Sequence, residues 1–310
     1  VAVSGLALLF PGQGGQEPGM LELAAGDPAG AAVLALAAEV LGEPPEALLR
    51  RGGEAPYRNA VAQPLVCAAE LATWAALRQR LPTPTLLLGY SVGELAAHGV
   101  AGTFDASTTL TLAARRATLM DEASPSPGGL LGLRGLPLAR IEALAVESGC
   151  EVAIVNGPEH AVLGGPRAAI DALVELAAAA GATTVQRLRI TVAAHTRHLA
   201  SAVLPFARVL AAAAPRPASI PVLAGLSGAP VWGGAQTVEL LSRQLAERLE
   251  WGRCLAIAGE MGCTVFLELG PGTALARMAR ETYPGMPVRA VSEFRTLDGV
   301  GRWAVAALRA

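Results

Sequence analysis

Ser91 lies in Gly89-Tyr90-Ser91-Val92-Gly93, a G-x-S-x-G segment. It follows the apolar run Thr85-Leu86-Leu87-Leu88 and precedes a helix-like run, Glu94-Leu95-Ala96-Ala97-His98. A serine on such a strand-to-helix turn is the pattern of an exposed nucleophile. The small flanking residues permit the sharp turn. The N-terminus of the following helix offers free backbone N–H groups to a developing oxyanion. Ser91-Val92-Gly93-Glu94 also fits S-x-x-E, a helix capping box, so the competing expectation is that Ser91 only caps a helix.

A nucleophilic serine needs a base, normally histidine. The chain has four histidines. His195, in Val192-Ala193-Ala194-His195-Thr196-Arg197-His198-Leu199, stands where the chain is expected to re-enter its larger domain. His98 and His160 read as surface histidines beside ordinary structural punctuation, and His198 as a solvated residue further along the same helix. Serine and histidine far apart in sequence can still converge in space.

The elements that must position these residues alternate between apolar strand-like runs and long helix-like runs. That order predicts an α/β fold with a mainly parallel sheet. Residues 6–10 read as a strand ending in the glycine-rich loop Pro11-Gly12-Gln13-Gly14-Gly15-Gln16. Helices are expected over 31–41, 64–80 and 107–122, and the strand 86–88 feeds the serine turn. Ser124-Pro125-Ser126-Pro127-Gly128-Gly129 is a loop and a domain boundary. Beyond it, strand 130–133, helix 138–149, strands 151–156 and 161–165, helix 167–180 and strand 183–190 follow a ferredoxin-like order. The remainder reads as helix 198–213, strand 222–226, helix 238–247, strand 264–268 and helix 273–280. The expected organisation is a large, discontinuous α/β-hydrolase-like domain over 1–125 and 193–310, with an inserted small ferredoxin-like α+β subdomain over 126–192.

Composition removes several function classes. The 310 residues are 52% hydrophobic and 16% charged, enough to bury a large core. A net charge of −2 gives no electrostatic case for nucleic-acid binding. All 24 basic residues are arginine, which excludes lysine Schiff-base or P-loop chemistry within this chain. Cys67, Cys150, Cys254 and Cys263 show no C-x-x-C spacing, so no metal site is expected and the thiols read as buried and free. The apolar stretch at 1–10 is short and lacks a basic flank, and reads as a first buried strand rather than a signal peptide. The alanine-rich stretches are broken by charges and prolines short of the roughly 20 apolar residues that span a bilayer. A soluble, cytoplasmic protein is expected.

With these features in place, the chain resembles the malonyl-CoA:acyl-carrier-protein transacylases, whose fold is shared with polyketide-synthase acyltransferase domains. The resemblance covers nearly the whole chain and rests on eight segments in family order. They begin with Phe10-Pro11-Gly12-Gln13-Gly14, Gln63-Pro64, and the serine turn through Glu94. Arg116 with Met120, then Val155-Asn156-Gly157-Pro158 with Gly164-Gly165, come next. Ala194-His195, Gln244-Leu245 with Trp251, and Glu268-Leu269-Gly270-Pro271-Gly272 complete the series.

The resemblance implies roles residue by residue. Ser91 is the nucleophile and His195 its base, with a backbone carbonyl near Gln244 in place of an acidic third member. The N–H groups of Gln13 and Val92 form the oxyanion hole. Arg116 clamps the free carboxylate of a malonyl group, whereas Arg115 reads as solvated. A guanidinium suits that task, because its planar fork matches two carboxylate oxygens. Gln63 and Asn156 line or support the pocket, and Tyr90 touches it. No bound cofactor or metal is implied, and the CoA thioester is the substrate. The implied partners are malonyl-CoA and an acyl carrier protein with a phosphopantetheine-type thiol, with no nucleic acid or membrane. Arg187, Arg189, Arg277 and Arg280 are expected to border the cleft that the carrier approaches.

Three positions depart from the family pattern. Tyr90 stands where histidine is usual, and Asp121 follows the arginine–methionine motif where glutamine is common. Val192-Ala193-Ala194 matches neither pattern that marks malonyl or methylmalonyl selectivity, and its small residues leave room for a methyl branch. A narrower resemblance links Ala290-Val291-Ser292-Glu293-Phe294-Arg295-Thr296-Leu297-Asp298-Gly299-Val300 to the malonyltransferase subunit of bacterial malonate decarboxylase. It implies priming of that complex and contact with its other subunits. The alternatives are malonyl supply to fatty-acid or polyketide synthesis, or a serine thioesterase or esterase on a related scaffold.

Overall fold

The computed structural model describes residues 4–310. Its strands in chain order are β1 (Gly5–Phe10), β2 (Leu86–Gly89), β3 (Gly128–Arg134), β4 (Glu151–Gly157) and β5 (His160–Pro166), then β6 (Thr184–Arg187), β7 (Pro217–Leu223), β8 (Pro230–Gly233), β9 (Cys263–Glu268) and β10 (Val288–Ala290). Six of them form one sheet in the order β10-β9-β1-β2-β7-β8, parallel except for the antiparallel edge pair β7 and β8. The central strands β1 and β2 are apolar and buried throughout, as a sheet covered on both faces requires. The fold is the α/β arrangement expected.

The other four strands form a separate antiparallel sheet in the order β4-β5-β3-β6. Two helices, Leu138–Ser148 and Arg167–Ala179, complete a β-α-β-β-α-β unit with its own apolar core around Leu131, Leu163, Ile141 and Leu173. The chain leaves the large sheet after the helix Ala106–Glu122 and returns through 188–196, where Gly128 packs against that returning segment.

Several expectations are corrected. The helix predicted from Pro64 begins at Asn59 and runs to Leu77, so Pro64 lies inside it and removes the bond to the Ala60 carbonyl. By length and hydropathy (1.4) this helix could cross a membrane, but 78% of its apolar window is buried in the core. The strand expected over 183–190 is confined to β6. Edge strands β8 and β10 and the helices Trp251–Glu260 and Leu297–Arg309 lie outside the predicted elements. All four cysteines are free and buried. Residues 1–3 of the predicted first strand lie outside the described residues.

The C-terminal stretch that carried the narrower resemblance has a structural task. Glu293 pairs with Arg280 at 2.7 Å and accepts from the Ala290 N–H at 2.9 Å, closing the end of β10. Ser292 donates to the Gly272 carbonyl at 2.8 Å and braces that loop. Thr296 caps the last helix through the Gly299 N–H. Arg280 is therefore engaged at this closure and does not line the cleft.

Candidate active site

β2 runs straight into Ser91, which adopts φ 56 and ψ −117, a backbone region that costs about 1–3 kcal/mol for a residue with a side chain. Two glycines make the turn possible. A Cβ on Gly89 would sit 2.0 Å from Glu94 Cα, and one on Gly93 would sit 2.1 Å from the Phe10 carbonyl oxygen. Ser91 precedes the helix Val92–Val100 but makes no side-chain cap bond, so the capping-box expectation fails. The hydroxyl is left for chemistry. Val92 opens that helix, and its N–H has no partner within the helix. The Gly12–Gln13 loop from the end of β1 lies against the turn: a Gly12 Cβ would be 3.6 Å from Ser91 Cβ. The Gln13 and Val92 backbones thus flank the serine from two sides.

His195 reaches Ser91 from across the fold. Its Nε2 is 2.8 Å from Ser91 Oγ. Its Nδ1 bonds the backbone carbonyl of Gln244, which fixes Nδ1 as the protonated nitrogen and Nε2 as the acceptor. His195 also has positive φ (62), and its own N–H donates to the Leu245 carbonyl at 2.8 Å. Both members of the pair therefore sit in strained backbone held by the surrounding structure.

Arg116 lies in the helix Ala106–Glu122, is 2% exposed, and makes no ion pair among the described residues. Its guanidinium donates to Gln63 Oε1 at 2.7 Å and to Gln244 Oε1 at 3.0 Å, and one nitrogen is 3.4 Å from Ser91 Oγ. Arg115, one residue earlier, is exposed. From Arg116 the hydrogen bonds run outward in two chains. Gln63 donates to Asn59 Oδ1 at 2.7 Å, and Asn59 donates to Asp121 Oδ1 at 2.9 Å. On the other side Gln244 donates to Glu94 Oε2 at 2.7 Å. Each chain ends on an acidic side chain, so Asp121 finds a role at the position where the family pattern has glutamine.

A narrow cavity of about 50 Å³ opens over Ser91 and Arg116. Leu130, Ile154, Ile190 and Ala194 give it apolar walls. It adjoins a cleft of about 690 Å³ between the small sheet and the large domain. Tyr90 lines both, packs edge-on against Trp251 at 5.4 Å, and lies beside the Asn156 amide. Arg134, Arg187, Arg189 and Arg277 line the cleft.

The remaining histidines are placed apart from the serine. His98 is buried rather than at the surface: its Nδ1 is 3.2 Å from Thr103 Oγ1, and burial pushes its pKa down to about 3. His160 lines the cleft with Nε2 3.2 Å from Asn156 Nδ2, which its sequence surroundings did not signal. His198 is partly exposed, 3.9 Å from Glu151.

Burial pushes the His195 pKa down to about 3, with the Arg116 charge adding to the effect and the Gln244 carbonyl opposing it. The imidazole is therefore neutral and able to accept a proton at pH 7. A testable pH dependence follows. The acid limb of kcat/KM is expected well below the ordinary histidine value of about 6.5. A substrate carboxylate on Arg116 offsets its positive charge and raises the histidine pKa, so the limb in kcat is expected at higher pH than that in kcat/KM. Coincident or reversed limbs would remove Arg116 from the histidine's electrostatic surroundings.

A serine with a histidine base on a strand–turn–helix elbow, beside a buried arginine, defines a serine acyl-transfer enzyme on an α/β scaffold. Residues 7–304 match the acyl transferase domain model. The malonyl CoA-acyl carrier protein transacylase of Mycobacterium bovis is 30% identical over 301 residues, covering 94% of this chain and 98% of that protein. The crystal structure of MCAT from Mycobacterium tuberculosis has a TM-score of 0.88 at 30% identity, covering 96% of this chain and 99% of that one. A structure of a type II PKS acyl-carrier protein in complex with its malonyl-transacylase gives 0.89 at 27% identity, covering 99% of each chain. The chain belongs to the acyl transferase domain family.

Proposed function

We propose that this protein moves a malonyl group from CoA to the phosphopantetheine-type thiol of an acyl carrier protein, through an ester on Ser91. The observation that carries this reading is the buried Arg116 guanidinium, without an ion-pair partner among the described residues, 3.4 Å from Ser91 Oγ. Burying such a charge is costly unless it is paired. A thioester ending in a free carboxylate supplies the partner.

In the first half-reaction Ser91 Oγ attacks the thioester carbonyl and passes its proton to His195 Nε2. In this reading the N–H groups of Gln13 and Val92, whose backbones flank Ser91, donate to the oxyanion. Collapse expels the CoA thiol, which leaves with the proton from His195. In the second half-reaction the carrier thiol gives its proton to His195 and attacks the malonyl ester, and the proton returns to Ser91. The backbone carbonyl as third member, instead of a carboxylate, speaks against the esterase alternative.

Relatives named as transacylases, and a likeness to a polyketide carrier complex, favour supply of malonyl units to fatty-acid or polyketide synthesis. They lend no support to priming of malonate decarboxylase, and the C-terminal stretch behind that idea is accounted for by bracing of β10 and the Gly272 loop. Initial rates with malonyl-CoA and a carrier bearing its free phosphopantetheine-type thiol should give the parallel lines of a ping-pong reaction. Intersecting lines, or water competing equally with the thiol, would overturn the reading.

The arginines of the cleft make a second expectation. Arg187 pairs with Asp171 at 2.6 Å, Arg134 with Glu281 at 2.9 Å, and Arg189 stacks over the Tyr57 ring. This partly compensated positive rim is suited to steer an acidic carrier. Transfer to the carrier should slow as salt rises, while acylation of Ser91 changes less. A flat salt response of the transfer step would remove the electrostatic component.

A further inference from the structure

The two functional groups of the site, the base and the clamp, meet at one residue. Gln244 uses its backbone carbonyl to hold His195 and its side-chain oxygen to hold Arg116. Its side chain is an amide, and an amide can be turned over. With the NH2 group toward Arg116, two donors would face each other. What keeps the oxygen toward the guanidinium must therefore be an acceptor on the far side.

That acceptor is Glu94, 1% exposed, in the first turn of the helix that follows Ser91. Its Oε2 accepts from Gln244 Nε2 at 2.7 Å and from the Gly225 N–H at 3.1 Å. The Gly225 N–H fixes Oε2 as an acceptor, so the Gln244 NH2 faces that oxygen and the Gln244 oxygen faces Arg116. Gly225 is fitted to this arrangement, because a Cβ there would lie 2.8 Å from Glu94 Oε2. Gln244 and Glu94 are 150 residues apart, and Glu94 makes no helix cap that would explain it otherwise.

We propose that Glu94 is a positioning residue, which orients the Gln244 amide and through it aims the Arg116 guanidinium at the acyl pocket. It touches neither the acyl group nor the reacting atoms. Burial pushes its pKa up to about 8, while the Gly225 N–H, the Arg116 charge and the Gln244 amide pull it back. Either protonation state keeps an acceptor oxygen for Gln244. The inference rests on Arg116 being the malonyl clamp.

The test compares malonyl-CoA and acetyl-CoA as donors. Wild type and Arg116→Ala are measured first. If wild type shows no preference, or Arg116→Ala leaves it intact, the clamp itself fails whatever Glu94 does. With the clamp established, Glu94→Ala is expected to lower the malonyl-to-acetyl ratio of kcat/KM by about ten- to a hundredfold, the range of one charged hydrogen bond, mainly through the malonyl KM. Glu94→Gln should retain most of the preference, since the Gly225 N–H holds its side-chain oxygen toward Gln244. In an Arg116→Ala background Glu94→Ala should leave the ratio unchanged. The proposal is overturned by a folded Glu94→Ala that keeps the ratio, or by one that shifts it equally with and without Arg116. If Glu94→Ala does not fold, Glu94→Gln decides alone: retention of the ratio supports the proposal and its loss refutes it.

Discussion

Replacing His195 by alanine is expected to slow both acylation and transfer by about 10²–10⁴-fold, the usual contribution of a positioned acid–base group. One imidazole serves both half-reactions, because its Nε2 is the only nitrogen of the pair facing Ser91 Oγ, at 2.8 Å. The loss should therefore appear in single-turnover labelling by malonyl-CoA and in discharge of the labelled protein to a carrier thiol. The ring is 1% exposed, so the variant's far-UV spectrum and melting temperature are measured alongside, and the loss of turnover is read on folded protein. Near-native turnover would assign the base role elsewhere. His198 is poorly placed to take it, lying instead 3.9 Å from Glu151.

Arg116→Ala should change the preference of the enzyme as well as its rate. Malonyl activity should fall by about ten- to a hundredfold, from the loss of a hydrogen-bonded charge pair worth about 1.5–3 kcal/mol. Acetyl activity should hold steady or rise. Burial already pushes the Arg116 pKa down to about 10, so an acetyl group leaves a buried cation without a partner. Removing that cation relieves the penalty. Competition between malonyl-CoA and acetyl-CoA reads the ratio directly. Equal loss of both would make Arg116 structural, needed only to tie Gln63 to Gln244.

Much of this site is legible in the residues. The turn around Ser91 announces itself because close packing at Gly89 and Gly93 leaves no room for a side chain, and that constraint is local. Most of the small unit is equally visible, since its helices and its first three strands lie between glycine or proline boundaries, whereas the short exposed strand β6 shows no alternation. What escapes is what depends on distant contact. The S-x-x-E spacing assigns Glu94 to a cap at Ser91, whereas its carboxylate is taken by Gly225 and Gln244 from another part of the chain. His98 looks like a surface residue at the end of a helix, yet it is buried with its Nδ1 3.2 Å from Thr103 Oγ1. Arg280 is claimed by Glu293, a partner that only the closure of β10 brings near. The short edge strands β8 and β10 have too few residues to show a period, and the helix Trp251–Glu260 follows a turn without a side-chain cap.

The central claim is a malonyl ester on Ser91, and the mass of the intact protein after brief exposure to malonyl-CoA tests it most directly. Wild type should gain the mass of one malonyl group, and fragmentation should place it on Ser91. Addition of a pantetheine thiol should return the protein to its starting mass and yield the malonyl thioester. Ser91→Ala should gain nothing. Undiminished labelling of Ser91→Ala, or a label on any other residue of the wild type, would contradict the account.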